Sequence, residues 1–179
     1  MRKNRQILYA VLFLLAVGSI AVYGKSSIKE YPAEKVTNYL NGMRLGIQDI
    51  YKKAPLDDIK GTKSVTEEQL EHLNAGTEKF LSGYVELKAI GEAFDYAEES
   101  ESETEAVMEH VHVSLNELKE SADGTLGLSK AQEESFIMLY EYLWDMYQLD
   151  VYNMELDEIL AGMEDVSKEY AELEKRNFQ

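Results

Sequence analysis

The chain has 179 residues and a formal net charge of −16 at neutral pH, with 34 Asp/Glu against 18 Lys/Arg and no cysteine. Such an acid excess repels nucleic acid and anionic surfaces and favours cationic partners or metal ions. The absence of Cys removes disulfides and thiol chemistry, and there is no Gly-x-Ser-x-Gly elbow or phosphate-cradling glycine loop, so no enzymatic activity is expected.

Residues 7–24 form an uncharged apolar run directly after Arg2, Lys3 and Arg5. As a helix this run is roughly 27 Å long, close to the hydrocarbon thickness of a bilayer. A basic flank stays on the cytoplasmic side, which predicts a single span with the amino terminus inside and the remainder outside. A cleavable signal peptide has the same layout, and Ser19-Ile20-Ala21 offers a cleavage point after Ala21 that would release a secreted product. The run exceeds the ~7–15 apolar residues of an ordinary leader, which favours an uncleaved anchor. All the acidic residues lie beyond this run, so the exported part is more acidic than the whole chain. A Cys-free, basic-tipped anchor followed by a modest polar domain points to a bacterial envelope protein.

Residues 25–31 read as a tether, and residues 32–179 as one extracytoplasmic helical domain. Pro32 suits a helix start. Val36, Leu40, Met43, Ile47 and Ile50 then follow 4,3,4,3 spacing on one face. Gly42 and Gly46, four apart on this helix, predict close packing against a neighbouring helix. Ala54-Pro55 ends it, and residues 56–63 read as a connecting loop.

The next helix opens on a capping box, Thr66 with Gln69, with Val65 and Leu70 placed as a hydrophobic staple. Leu70, Leu73, Thr77, Phe80, Tyr84, Leu87, Gly91 and Phe94 sustain a coiled-coil-like seam. Gly76 and Gly83 beside this seam cost helix propensity, which is offset where a partner helix comes close. Residues 98–105 alternate acidic and hydroxylic side chains and read as a solvated turn or frayed helix end. Met108, Val111, Leu115, Leu118 and Ala122 define the inner face of a third helix that stops at Asp123-Gly124.

Ser129 and Gln132 cap a fourth helix, whose expected buried stripe is Tyr140, Trp144, Tyr147, Val151 and Met154. Beyond Glu155 the apolar phase changes to Ile159, Met163, Val166, Tyr170 and Leu173, which predicts a local rewinding, a kink or a break near residues 153–157. The expected fold is all-α: an antiparallel up-down bundle of about four helices, the last long and broken, behind one N-terminal membrane or signal helix.

Three constellations bear on function. Glu109 and His112 have the Glu-x-x-His spacing of di-iron bundles, but the second copy is missing and both fall toward solvent. No metal or cofactor is therefore expected there. The acidic run 98–105 has the hard oxygen ligands that Ca²⁺ takes but no glycine-shaped loop, so it reads as solvated. Tyr142 and Tyr152 fall outside the expected buried stripe of helix four, next to Glu141 and Asp145. Exposed tyrosine beside acidic groups is the make-up of a protein-binding surface. These four residues are the expected interaction site, with an envelope protein as partner and self-association left open. The leading functional expectation is a membrane-anchored interaction module. The alternatives are an acidic secreted protein that binds cations or basic peptides and, third, a metal-dependent enzyme.

Overall fold

A computed structural model describes residues 32–96, 101–176 and 178. The apolar run 7–24 and the tether 25–31 lie outside the described residues. Among the described residues no helix is long and apolar enough to cross a membrane.

The elements are α1 (Ala33–Lys53), α2 (Leu56–Thr62), β1 (Ser64–Thr66), α3 (Glu67–Ala93), α4 (Glu103–Ser121), β2 (Thr125–Gly127), α5 (Lys130–Gln148), α6 (Leu156–Glu169) and a 3₁₀ turn (Ala171–Lys175). The fold is mostly helical, with one small two-stranded ribbon.

α1 and α3 carry long buried stripes and pack on each other. Val36, Leu40, Met43, Ile47 and Ile50 of α1 are all buried, as are Leu70, Leu73, Thr77, Phe80, Tyr84, Leu87 and Gly91 of α3. The Tyr39 hydroxyl donates to Glu86 at 3.2 Å and Lys79 to Asp49 at 3.3 Å, so the two helices run in opposite directions. Glycines make the approach possible. A Cβ on Gly46 would lie 2.7 Å from the Gly76 carbonyl oxygen, and one on Gly83 would lie 2.5 Å from Met43 Cγ. Gly42, expected to share this role, has nothing within 4 Å of the same position and serves no contact.

α4 returns along α3, pairing Asn74 with Asn116 (3.2 Å) and Lys88 with Glu105 (3.1 Å), again with opposite directions. Its inner residues Met108, Val111, Leu115 and Leu118 are buried as the spacing predicts. The acidic run is more ordered than expected. Ser102 caps α4 by accepting from the Glu105 amide at 3.1 Å, Glu103 and Glu105 occupy the first turn, and Thr104 is fully buried. The dipole explains this, since carboxylates are favoured at a helix N-terminus. Residues 97–100 lie outside the described residues.

Residues 56–63 are not the loop expected from Ala54-Pro55. They form α2, whose Ile59 is fully buried, followed by β1. Pro55 sits one residue before α2, where its missing amide hydrogen costs nothing. β1 pairs antiparallel with β2 in the register Ser64↔Gly127, Val65↔Leu126 and Thr66↔Thr125. The ribbon ties the α2–α3 connection to the α4–α5 connection. Lys63, at φ +50, and Gly124, at φ +87, make the tight bends beside it.

The capping boxes at Thr66–Gln69 and Ser129–Gln132 are both formed. The long final helix is two helices, as the phase change predicts. α5 ends at Gln148 and α6 begins at Leu156, where the Glu155 amide donates to Glu158 at 3.0 Å. Past the 3₁₀ turn, Phe178 is buried edge-on against Phe136, with ring centroids 5.4 Å apart.

Candidate functional site

α5 packs on two neighbours at once, and this decides which of its aromatic side chains face water. Toward α1, Gln48 donates to the Tyr147 hydroxyl at 2.9 Å and Tyr51 donates to the Tyr140 carbonyl at 2.6 Å. The Tyr140 hydroxyl donates to the Ala54 carbonyl and closes the end of α1. Toward α6, the Tyr142 hydroxyl lies 3.0 Å from Ser167 Oγ, and the Tyr142 ring packs 5.5 Å from that of Tyr170.

The four expected interaction residues therefore separate. Tyr142 is fully buried, and its ring belongs to the core, not to a surface. Asp145 accepts from the Tyr170 hydroxyl at 2.6 Å on the same α6-facing side. Glu141 is exposed. Tyr152 is 56 % exposed and reaches α1, donating to Asn41 at 2.6 Å. Trp144, expected in the core, is 51 % exposed. One packing feature places both Tyr142 and Trp144. A 4,3 stripe assumes one packing direction, whereas the buried arc of α5 is widened by α6 folding back over its other side, which leaves Trp144 at the rim.

Trp144 and Tyr152 belong to an aromatic surface along the α1/α5 seam that no single stretch of sequence displays. Trp144 stacks on Tyr147 (centroids 6.2 Å, planes at 24°), and Tyr51 meets it edge-on at 6.0 Å. Arg44 lies over both Tyr147, at 4.2 Å, and Tyr152, at 5.3 Å, as a cation–π bridge. Ile47, Gln48, Tyr51, Lys52, Trp144 and Tyr147 enclose a groove of about 200 Å³. Charges of both signs act on these rings. Hydrogen bonds from Gln48 and Arg44, with the Arg44 and Lys52 charges, draw the Tyr147 phenol below its ordinary pKa. Burial, with the Asp145 charge, pushes that of Tyr51 up to about 12. Leu45, 56 % exposed, continues the apolar surface along the Asn41–Gln48–Lys52 ridge of α1.

A second concavity, of about 410 Å³, lies beside Glu164 of α6. The Glu164 carboxylate accepts from the Tyr84 hydroxyl of α3, from the Ser102 hydroxyl and from the Glu103 amide (2.9 Å). Burial alone would raise its pKa. The donations from Ser102, Tyr84 and Glu103 outweigh that and hold it below the usual carboxylate range. Deeper in, Ser167 donates to Thr104 at 2.9 Å, which leaves Tyr142 to donate to Ser167. The lysines at this concavity have acidic partners, Lys88 with Glu105 (3.1 Å) and Glu92 (3.8 Å), and Lys168 with Asp165 (3.0 Å) in an exposed pair. Glu164 is thus a polar tie that fixes α6 to the start of α4 and to α3.

Glu109 of the Glu-x-x-His spacing is exposed, whereas His112 is half-buried with its Nδ1 enclosed and unpartnered. His110 pairs with the Arg176 carbonyl at 2.9 Å. Among the described residues no group of three or more His, Asp or Glu side chains is arranged to hold a metal ion. No protein-family model, curated protein or solved structure matches this chain.

Proposed function

We propose that this protein is a membrane-anchored, extracytoplasmic interaction module of the bacterial envelope. On this reading residues 7–24 are the anchor and an up-down helical bundle carries the contact surface at the α1/α5 seam. The observation that carries the reading is the exposure of Trp144, which lines one groove, and of Tyr152 beside it, with Arg44 bridging the Tyr147 and Tyr152 rings. Trp, Tyr and Arg are the residues enriched at interface hot spots, and a helix in water gains nothing by showing an indole to solvent.

The surface replaces Tyr142 with Trp144 and keeps Tyr152, while Asp145, turned to the Tyr170 hydroxyl, falls away from it. The test is capture of the native partner by the full chain and by a Trp144→Ala/Tyr152→Ser variant. Capture should fall at least tenfold in the variant while its melting temperature stays within a few degrees of the parent. Undiminished capture by a folded variant would refute the reading.

A further inference from the structure

We infer that the α1/α5 groove receives a large apolar side chain carried on an acidic peptide segment. The inference rests on the proposed interaction surface and adds the chemistry of what fills it.

The size of the groove comes first. At about 200 Å³ it falls below the ~300–1,000 Å³ of small-molecule sites and suits one inserted side chain. The apolar side chains that line it are Tyr51, Trp144, Tyr147 and the buried Ile47, which select an aromatic or long aliphatic group.

The rim decides the charge. The whole chain is strongly acidic, yet Arg44 lies over Tyr147 at this seam, and of the nearby acids Asp145 of α5 is turned to the Tyr170 hydroxyl while Asp49 stands on α1. Asp49 is itself engaged by Lys79. Lys52 lines the groove, and neither it nor Arg44 forms an ion pair with another described residue, whereas Lys79, Lys88, Lys130, Lys168 and Arg176 all do. At physiological salt a charge is felt over about 8 Å, so a bound segment responds to this local cationic rim and not to the net charge.

A second copy fits less well. A two-fold contact brings each patch onto itself, so Arg44 and Lys52 would face the same cations of the partner copy, between two strongly acidic bodies. A basic partner would meet the same rim with the wrong sign.

Trp144 is the single tryptophan of the chain, so its emission reports the groove directly. The full chain in mild detergent is titrated with three peptides: Glu-Glu-Phe-Glu-Glu, its Lys-flanked counterpart, and a version with Ser in place of Phe. The account expects a saturable change in Trp144 emission with the first peptide. Affinity should be at least tenfold weaker for the other two and for Lys52→Glu with the first peptide, and should decline with salt. Equal or tighter binding of the Lys-flanked peptide would overturn the acidic occupant and leave the interaction surface standing. If no peptide binds yet Trp144→Ala/Tyr152→Ser still loses its native partner, the peptide chemistry is wrong and the surface is right. If no peptide binds and capture is also unchanged, both readings fall. An emission change on concentrating the protein alone would assign the groove to a second copy.

Discussion

Two glycines four residues apart on α1 should respond to the same substitution with opposite signs. Gly42→Ala adds a methyl where nothing lies within 4 Å, so only helix propensity changes. Ala exceeds Gly by ~0.8–1.0 kcal/mol in a helix interior. Gly46→Ala gains the same propensity, but its methyl meets the Gly76 carbonyl oxygen at 2.7 Å and Lys79 Cβ at 3.1 Å. The first of these is backbone and cannot rotate away, so α1 and α3 must separate along their whole contact. Overpacking of this kind costs about 1–3 kcal/mol and partly opens a core that includes Ile50 and Leu73. The net expectation is a gain of up to ~1 kcal/mol at residue 42 and a loss of up to ~2 kcal/mol at residue 46. For a domain of this size 1 kcal/mol moves the melting temperature by roughly 2–4 °C. The two variants should therefore melt apart by several degrees in parallel thermal scans of the full chain. Equal melting temperatures, or a more stable Gly46→Ala, would refute the close approach of α1 and α3.

Four further outcomes are expected. Tyr142→Ser should destabilise by about 3–5 kcal/mol, as truncation of a buried aromatic does, whereas Tyr152→Ser should stay within about 0.5 kcal/mol; denaturant titration separates them. Glu164 has its folded pKa below the ordinary 4.5, so its contribution is fully present above that value and is lost as pH falls through the folded pKa. The stability difference between the parent and Glu164→Gln should accordingly shrink below pH 4.5 in urea titrations run at a series of acidic pH values, and a difference that grows there would reverse the argument. Ser129→Ala removes the hydroxyl that accepts from the Gln132 amide and should cost ~1 kcal/mol by chemical denaturation. A reporter fused after Gln179 should be active only outside the cytoplasm, and activity confined to the inside would remove the anchor reading.

Legibility in the sequence followed how regularly the buried residues of an element are spaced. α1 and α3 keep an unbroken 3,4 spacing of buried residues, so Val36 to Ile50 and Leu70 to Gly91 are readable from it, and the Thr66 and Ser129 caps from local chemistry. α2 has 7 residues, too few for periodicity to show, and it follows a proline that also marks a loop. The β1–β2 ribbon joins segments about sixty residues apart through 3-residue strands, which leave no alternation to detect. α5 was misread because it has two packing directions. Tyr142 faces Ser167 and Tyr170, on α6 and just past its end, while the stripe through Trp144 runs along the rim toward α1. Of the site, Tyr152 was readable as a tyrosine off the core face. The part played by Arg44 was not, since it needs Tyr147 and Tyr152 brought across from the far end of the chain.

Site-specific photocrosslinking in intact cells shows whether the α1/α5 seam is the surface that meets a partner. A photoreactive side chain is placed at Tyr152, at Leu45 and, as a control, at the exposed Val113 of α4. The same discrete adduct is expected from residues 152 and 45 and none from residue 113. An adduct from residue 113 alone, or no adduct from either seam position in a folded and exported protein, would contradict it.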